Sequence, residues 1–306
     1  MSLKETLVGS SRETQGLFLG FVGVLCFSVS LPATRVAVKA FNPTFVTFGR
    51  AVVAAAGAIV ILALVRPRRP TMAEWRRMVL VTAGVVVGFP LFTSLALRHA
   101  PAGHGAVVIG LLPAATAGLS ALRSGERPSA RYWLFAAIGM ASIAILAATR
   151  SSTKELAVGD LYFLLAVAAA ALGYTEGALI SRELGGWQTI SWALLLGLPV
   201  TVPLAVAGLG SVTGGEHWTA WTAFAYLGLV SMLLGFFAWY GGLARGGIAR
   251  VSQIQLVQPL LSVTWAVLFL HERADILLFF VAIIVLVAVA GSRKSSIRGS
   301  VRSATR

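Results

Sequence analysis

The stretch VGFPLFTSLALRHAPAGHGAVVIGLLPAATAGLSALRSGERP, residues 87–128, decides the fold because its pattern occurs twice in the chain. A shift of 146 residues places it, without a gap, on LLGFFAWYGGLARGGIARVSQIQLVQPLLSVTWAVLFLHERA, residues 233–274. Pro113 then aligns with Pro259. In both copies an apolar helix ends at small residues, and a second apolar helix with a central proline leads into a Glu-Arg pair. Such a repeat is typical of membrane proteins built from two related halves.

The composition of the chain indicates a membrane protein. Hydrophobic residues make up 57% and charged residues 12% of the 306 residues, whereas soluble domains have roughly 45–50% and 25%. The mean hydropathy is +0.84. A net charge of +14 would suggest nucleic-acid binding in a soluble protein, but here the basic residues lie between apolar runs. We therefore interpret them as topogenic charges beside lipid headgroups, and we expect no nucleic-acid partner.

The apolar runs predict an all-α integral membrane protein with ten transmembrane helices, because each run approaches the ~20 residues that cross the hydrocarbon core. The predicted spans are Leu17–Val38, Thr44–Val65, Met78–Leu97, Ala102–Leu122, Tyr132–Ala148, Asp160–Ile180, Gln188–Gly208, Ala220–Leu243, Ala249–Leu270 and Ile276–Ser292. Residues 1–150 hold a short N-terminal tail and the first five-helix repeat, and residues 151–306 hold the second repeat and a basic tail. Since five is odd, the repeats are inverted, and their shared site is expected near the bilayer midplane.

The distribution of basic residues predicts the orientation. With the N-terminus in the cytoplasm, 18 lysines and arginines fall in inside segments and 6 in outside segments. This positive-inside bias predicts a multi-pass membrane protein with both termini in the cytoplasm.

The ninth predicted helix carries the strongest candidates for contact with a solute. Ser252, Gln255 and Gln258 follow one another at spacings of three, so they share one helix face. Pro259 comes next and, like Pro113 in the fourth helix, breaks the helical hydrogen bonding. Amides buried without partners cost several kcal/mol, so this face lines a cavity or else forms hydrogen bonds between helices.

Aromatic and cationic residues inside other spans are further candidates. Tyr174 lies mid-span in the sixth predicted helix, and Trp239 and Tyr240 lie in the eighth. They would suit apolar or aromatic solutes, with plain packing as the alternative. Arg50 lies about two turns inside the second span. It binds a substrate carboxylate or pairs with backbone carbonyls.

Glu176 is the one acidic residue well within a predicted span. It is the candidate for energy coupling, with an ion pair to Arg182 as the alternative. Asp160, Glu126 and Glu272 fall at span ends, and Asp160 suits the N-terminus of the sixth helix. Coupled pumps usually carry several buried carboxylates, so the sequence favours facilitated transport.

Several chemistries are excluded by missing motifs. No G-x-x-x-x-G-K-[ST] loop occurs, and His271-Glu272-Arg273 is not an H-E-x-x-H zinc motif. His99 and His104 have weak metal spacing, and the single cysteine, Cys26, excludes a disulfide within the chain. We expect no metal, no cofactor and no enzymatic activity. A membrane enzyme acting on lipid-linked substrates would need an acid–base set that the spans lack.

Glycine pairs predict close helix contacts. The motif G-x-x-x-G occurs at Gly16–Gly20, Gly84–Gly88, Gly173–Gly177 and Gly242–Gly246. It permits contact within one chain or between two chains, so we expect a monomer or a weak homodimer.

The chain resembles the drug/metabolite transporter superfamily, in its ten-helix EamA-like exporter branch, over residues 16–291. The matching elements are Ala96-Leu97 through Ala106, Pro113, Gly125-Glu126-Arg127, Gly159-Asp160, Gly242-Leu243, Pro259 and His271-Glu272-Arg273, with Arg50 in the second helix. The resemblance implies two inverted repeats and alternating-access export of amino acids, including aromatic ones, or related small metabolites. Uptake of the same solutes is the alternative direction.

The resemblance also implies where the solute binds. Sites in relatives are usually lined by the first, third, fourth, sixth, eighth and ninth helices, which include Tyr174, Tyr240 and Gln255. The family's frequent tryptophan in the first helix is absent, and Phe27 occupies that neighbourhood. The expected partners are a small-molecule substrate and membrane lipid.

Overall fold

The computed structural model describes residues 3–123, 154–212, 214–215, 217–246, 251 and 254–272, with isolated positions between 130 and 145 and between 276 and 287. These residues are almost entirely helical and contain no strand. The α-helices are α1 (Leu3–Ser28), α2 (Ser30–Ala40), α3 (Pro43–Val65), α4 (Met72–Val81), α5 (Phe89–His99), α6 (Ala102–Ile109), α7 (Leu112–Arg123), α8 (Lys154–Leu184), α9 (Gly186–Gly208), α10 (Trp218–Ala225), α11 (Gly235–Gly246) and α12 (Gln258–Leu270). Two π-helical segments, Thr82–Gly88 and Tyr226–Leu234, join α4 to α5 and α10 to α11.

Seven stretches of the described chain are long and apolar enough to cross a membrane. They are Glu13–Ala40, Pro43–Val65, Met72–His99, Ala102–Arg123, Val158–Leu184, Gly186–Gly208 and Trp218–Gly246. These stretches coincide with seven of the ten predicted spans, and the shorter apolar helix α12 falls within the ninth. The fifth and tenth predicted spans lie largely outside the described residues. The chain is a multi-pass, all-helical membrane protein, as its composition predicts.

The first span is broken near its centre, which the sequence analysis did not predict. Pro32 has no N–H to donate to the Ser28 carbonyl four residues earlier, and the helix is interrupted at Val29. The Ser28 carbonyl instead accepts a hydrogen bond from the Ser262 hydroxyl at 2.7 Å. Trp265 Nε1 donates to the Ser28 hydroxyl at 2.9 Å. Side chains of α12 therefore satisfy the polar groups that the break exposes.

Backbone irregularities recur at the spacing of the sequence repeat. The two π-helical segments overlap after a shift of 146 residues. The same shift places the turn at Gly110–Leu111 on the 3₁₀ turn Ile254–Val257. Each turn ends two residues before its proline, Pro113 or Pro259, and the proline removes the helical hydrogen bond to the residue four positions earlier. The two copies of the sequence pattern therefore carry the same local distortions.

The core lies where helices from the N-terminal part of the chain pack on helices from the C-terminal part. Helix α3 packs on α9, α1 on α11, α5 on α8, and α6 on α12. Small residues bring α1 and α11 together most closely, since Gly16 meets Gly246 and Gly20 meets Gly242. These two G-x-x-x-G motifs are therefore used within one chain.

Replacing Gly242 by valine is expected to destabilise the protein by about 1–3 kcal/mol, the usual cost of overpacking. A Cβ atom at this position would lie 2.7 Å from the backbone nitrogen of Gly20. Thermal unfolding of the purified protein in detergent measures the effect as a lower Tm. Gly210→Val is the matched control, because no atom lies within 4 Å of that Cβ position. Equal Tm values for the two variants would contradict close packing of α1 on α11.

Candidate solute-binding site

An aromatic cluster lies where α1, α8 and α11 meet. The ring centroid of Tyr174 lies 5.7 Å from that of Trp239 and 5.9 Å from that of Phe236. Phe27 completes the cluster, 6.4 Å from Tyr174. All four side chains are buried, and Trp239 Nε1 has no hydrogen-bond partner among the described residues. The cluster therefore presents ring faces and an unused donor to its surroundings.

Two buried glutamines lie near one another, and one of them, Gln255, approaches this cluster. Gln255 is 2% exposed and Gln258 is 7% exposed. The Gln255 amide approaches the Tyr174 hydroxyl, but neither its oxygen nor its nitrogen has a partner of hydrogen-bonding geometry in the described part of the chain. The Gln258 oxygen also lacks one. Helix packing among the described residues therefore leaves amide atoms of both glutamines without hydrogen bonds, although most buried polar atoms in proteins have one.

A small cavity adjoins the glutamines. Its lining residues are Leu31, Ala106, Ile109, Gln255, Gln258, Pro259 and Ser262. Pro113 follows Ile109 by four residues, and Pro259 follows Gln255 by four, so these carbonyls lose their usual helical donors. The cavity has room for about one water molecule. In this conformation the cavity is therefore too small for a solute larger than water. It is bordered by helices broken at Pro113 and Pro259 and by amide atoms of Gln255 and Gln258 that have no hydrogen-bond partner among the described residues.

Arg50 belongs to a neighbouring polar network. Its side chain is 3% exposed, and Nη2 donates to the Ser231 hydroxyl at 3.4 Å. Ser231 in turn shares a 2.7 Å hydrogen bond with Ser30, which precedes the cavity residue Leu31. Within the described part of the chain, the Arg50 Nε atom has no hydrogen-bond partner and no carboxylate forms an ion pair with Arg50. The guanidinium contacts a hydroxyl where the sequence analysis considered backbone carbonyls.

The structure separates the remaining candidates. Tyr240 is fully buried, and its hydroxyl donates to the Gly173 carbonyl at 3.0 Å, so it joins α11 to α8 in this conformation. Ser252 lies outside the described residues. Of the predicted contacts, Gln255, Tyr174 and Trp239 are brought together.

Glu176 is fully buried and paired with two arginines. Its Oε2 atom accepts a hydrogen bond from Arg77 Nε at 3.2 Å. Its Oε1 atom lies 2.6 Å from Arg123 Nη2, an ion pair whose angles do not make a hydrogen bond. Arg182, considered as the partner from sequence, is not among the ion pairs of Glu176. The carboxylate joins α8 to α4 and α7.

Asp160 is another buried carboxylate, besides Glu176 and the Glu74 carboxylate that pairs with Arg68, and its position in the sequence did not indicate burial. Asp160 lies in the second turn of α8, which begins at Lys154, so it is not the helix N-terminus that the sequence predicted. It is 8% exposed, and its Oδ1 atom lies 2.5 Å from His104 Nε2. Glu176 is therefore not the only acidic residue buried in the bundle. No local signal reveals this pair, since 56 residues separate its members.

Glu272 lies at the same end of the bundle as the His104–Asp160 pair. Its carboxylate oxygens accept the backbone N–H groups of Ala102 and Gly103, each at 2.9 Å. These are free donors at the N-terminus of α6, where negative charge is favourable. Glu272 of the repeated Glu-Arg motif therefore has a structural role, because it ties the segment after α12 to α6.

Comparison with known proteins assigns the family. The model of the EamA-like transporter family matches the chain twice, over residues 14–148 and 157–293. The chain belongs to the EamA-like transporter family. It is thus a membrane transporter of the drug/metabolite transporter superfamily, as the sequence resemblance indicated.

Individual relatives agree with this assignment. The chain is 44% identical over 284 residues to "Uncharacterized transporter YdeK" of Bacillus subtilis (strain 168), covering 93% of this chain and 99% of that protein. It is 23% identical over 238 residues to the "Probable terminal-alkyne amino-acid exporter" of Streptantibioticus cattleyicolor, covering 77% and 79% of the two chains. A solved crystal structure has a TM-score of 0.64 at 20% identity, covering 94% of this chain and 99% of its own. This last similarity shows the fold alone.

Proposed function

We propose that this EamA-like transporter exports amino acids, particularly aromatic or hydrophobic ones, or related small metabolites, across a bacterial inner membrane. The observation that carries the proposal is a set of buried polar groups with unused hydrogen-bonding atoms, Gln255, Gln258 and Arg50. One of them, Gln255, approaches Tyr174 of the aromatic cluster. An amino acid has matching groups: a carboxylate for the guanidinium, an ammonium for amide oxygens and a side chain for the rings. The amino-acid exporter named among the relatives supports the same substrate class.

The proposed mechanism is alternating access between two inverted five-helix repeats, residues 1–150 and 151–306, with ten transmembrane helices in all. The recurrence of the π-helical segments and of the proline turns at one spacing supports this arrangement. The cavity holds about one water molecule, so a solute enters only when the repeats move apart. Glycine motifs engaged within the chain support a monomeric carrier.

Transport by the purified protein in liposomes tests the function. Liposomes are preloaded with one unlabelled amino acid at a time, and entry of the same radiolabelled amino acid is measured as counterflow. Phenylalanine and other hydrophobic amino acids are expected to exchange faster than in liposomes without protein. Failure of every amino acid to exchange would reject the substrate class. The direction of transport is tested separately, in cells that overproduce the protein and are loaded with phenylalanine, where export appears as release of phenylalanine into the medium.

Both termini are expected in the cytoplasm, from the bias of basic residues described above. Alkaline phosphatase fused after Val65 or Leu122 should be inactive, because these positions are cytoplasmic. Fusions after Leu97 or Ala148 should be active outside the membrane. An active fusion at Val65 with an inactive one at Leu97 would reverse the proposed orientation.

A further inference from the structure

His104 and Asp160 form an isolated acid–imidazole pair inside the bundle. His104 on α6 is 1% exposed and Asp160 on α8 is 8% exposed, with 2.5 Å between Nε2 and Oδ1. The second polar atom of each side chain, His104 Nδ1 and Asp160 Oδ2, is buried without a hydrogen-bond partner among the described residues. The described chain also provides no third acidic, histidine or cysteine side chain to make the pair a metal site.

The pair differs from Glu176 in its balance of charge. Glu176 faces two arginines, Arg77 and Arg123, so its negative charge is compensated by cations of the protein itself. Asp160 faces an imidazole that is neutral or cationic depending on its protonation. Burying a net charge is costly, and one proton on the pair removes that charge. Proton uptake and release therefore change the free energy of burying the His104–Asp160 pair.

Other groups that titrate or carry charge lie near this end of the bundle. On the helices packed around the pair they are Arg35 and Lys39 on α2, Arg98 and His99 on α5, Tyr162 on α8, and His271 and Glu272 after α12. Four of them have partners of their own. Glu272 accepts the N–H groups at the start of α6, His99 stacks on Tyr162 with centroids 6.3 Å apart, and Arg35 donates to the Leu97 carbonyl.

We propose that the His104–Asp160 pair binds the proton that drives solute movement, an inference that rests on the proposed export function. In each cycle one proton binds at the pair from the outside and is released to the cytoplasm, while one solute moves outward. This proposal replaces the facilitated route that the sequence favoured, because that expectation assumed Glu176 to be the only buried carboxylate.

Helix α6 provides the physical link between this pair and the solute cavity. His104 precedes the cavity residue Ile109 by five residues, which is about 7–8 Å along a helix at ~1.5 Å per residue. The same helix packs on α8, which carries Asp160, and on α12, which carries Gln258. A change in charge at the pair alters the contact of α6 with α8 and so acts on the helix that lines the cavity.

The first test measures proton binding without a solute. Infrared difference spectra of the purified protein are recorded across a pH titration, for wild type, Asp160→Asn, His104→Gln and Glu176→Gln. A carboxyl or imidazole band that titrates in wild type should be missing from the Asp160→Asn and His104→Gln spectra and present in the Glu176→Gln spectra. Identical titrations in wild type, Asp160→Asn and His104→Gln would overturn the proposal. Two independent variants guard against one that fails to fold.

The second test separates coupling from transport. Liposomes with an acidic interior are given radiolabelled phenylalanine, and wild type and Glu176→Gln should accumulate it. Asp160→Asn and His104→Gln should lose at least tenfold in accumulation, while their counterflow exchange continues. Accumulation by Asp160→Asn at the wild-type level, or counterflow without accumulation in wild type, would overturn proton coupling at this pair. Absence of counterflow in wild type would instead reject phenylalanine as solute and leave the infrared titration to decide.

Discussion

Replacing Gln255 by leucine is expected to lower amino-acid counterflow about tenfold while leaving the protein folded. Both polar atoms of this side chain are buried without a hydrogen-bond partner in the described chain, so leucine removes no well-formed hydrogen bond within the protein, only the approach to the Tyr174 hydroxyl. What it removes is one or two hydrogen bonds to solute, each worth roughly 0.5–1.5 kcal/mol. A loss of about 1.4 kcal/mol corresponds to a factor of ten. Initial counterflow rates, normalised to the amount of reconstituted protein, measure the change.

A second glutamine provides the matched control. The Gln188 oxygen is also unpartnered among the described residues, but Gln188 lies near the start of α9 and does not line the cavity. Gln188→Leu should therefore exchange amino acids at close to the wild-type rate. Wild-type counterflow in a well-expressed Gln255→Leu protein would assign Gln255 to helix packing, and so would a marked fall in its Tm.

The features that could be predicted from sequence are those with a local cause. Span positions follow from apolar length alone, and seven described stretches match seven of the ten predicted spans. The breaks at Pro113 and Pro259 follow from a missing N–H group, and the 146-residue spacing relates them. The same rule applied to Pro32 would have predicted the break at Val29, which was overlooked. The π-helical segments carry no comparable residue signal.

The contacts that could not be predicted join distant parts of the chain. Arg77 and Glu176 are 99 residues apart, and His104 and Asp160 are 56 apart, so no spacing within one helix identifies them. Arg182 was a reasonable partner for Glu176 only because it is near in sequence. Which acid has a cation and which has an imidazole depends on how α4, α6 and α7 pack on α8. That difference decides which group is free to take up a proton.

Neutralising both arginines around Glu176 is expected to destabilise the protein far more than neutralising Glu176 itself. The double variant Arg77→Gln with Arg123→Gln leaves a fully buried carboxylate without a cation, which costs 3–5 kcal/mol in deeply buried pairs. The arginine side chains are 33% and 49% exposed, so water reaches the site and we expect about 3 kcal/mol, the lower end of that range. SDS titration of the protein in mixed micelles measures the free energy of unfolding.

The reverse change shows why the expected effect is asymmetric. Glu176→Gln leaves two half-exposed arginines, whose long side chains extend their charged ends to water or headgroups, so the expected loss is about 1 kcal/mol or less. Adding Glu176→Gln to the double arginine variant should restore most of the lost stability, because the buried charge is then gone. Equal stability of the double arginine variant and Glu176→Gln would mean that Glu176 is not held as a buried, compensated carboxylate. In that case Glu176 would again be a candidate for carrying a proton.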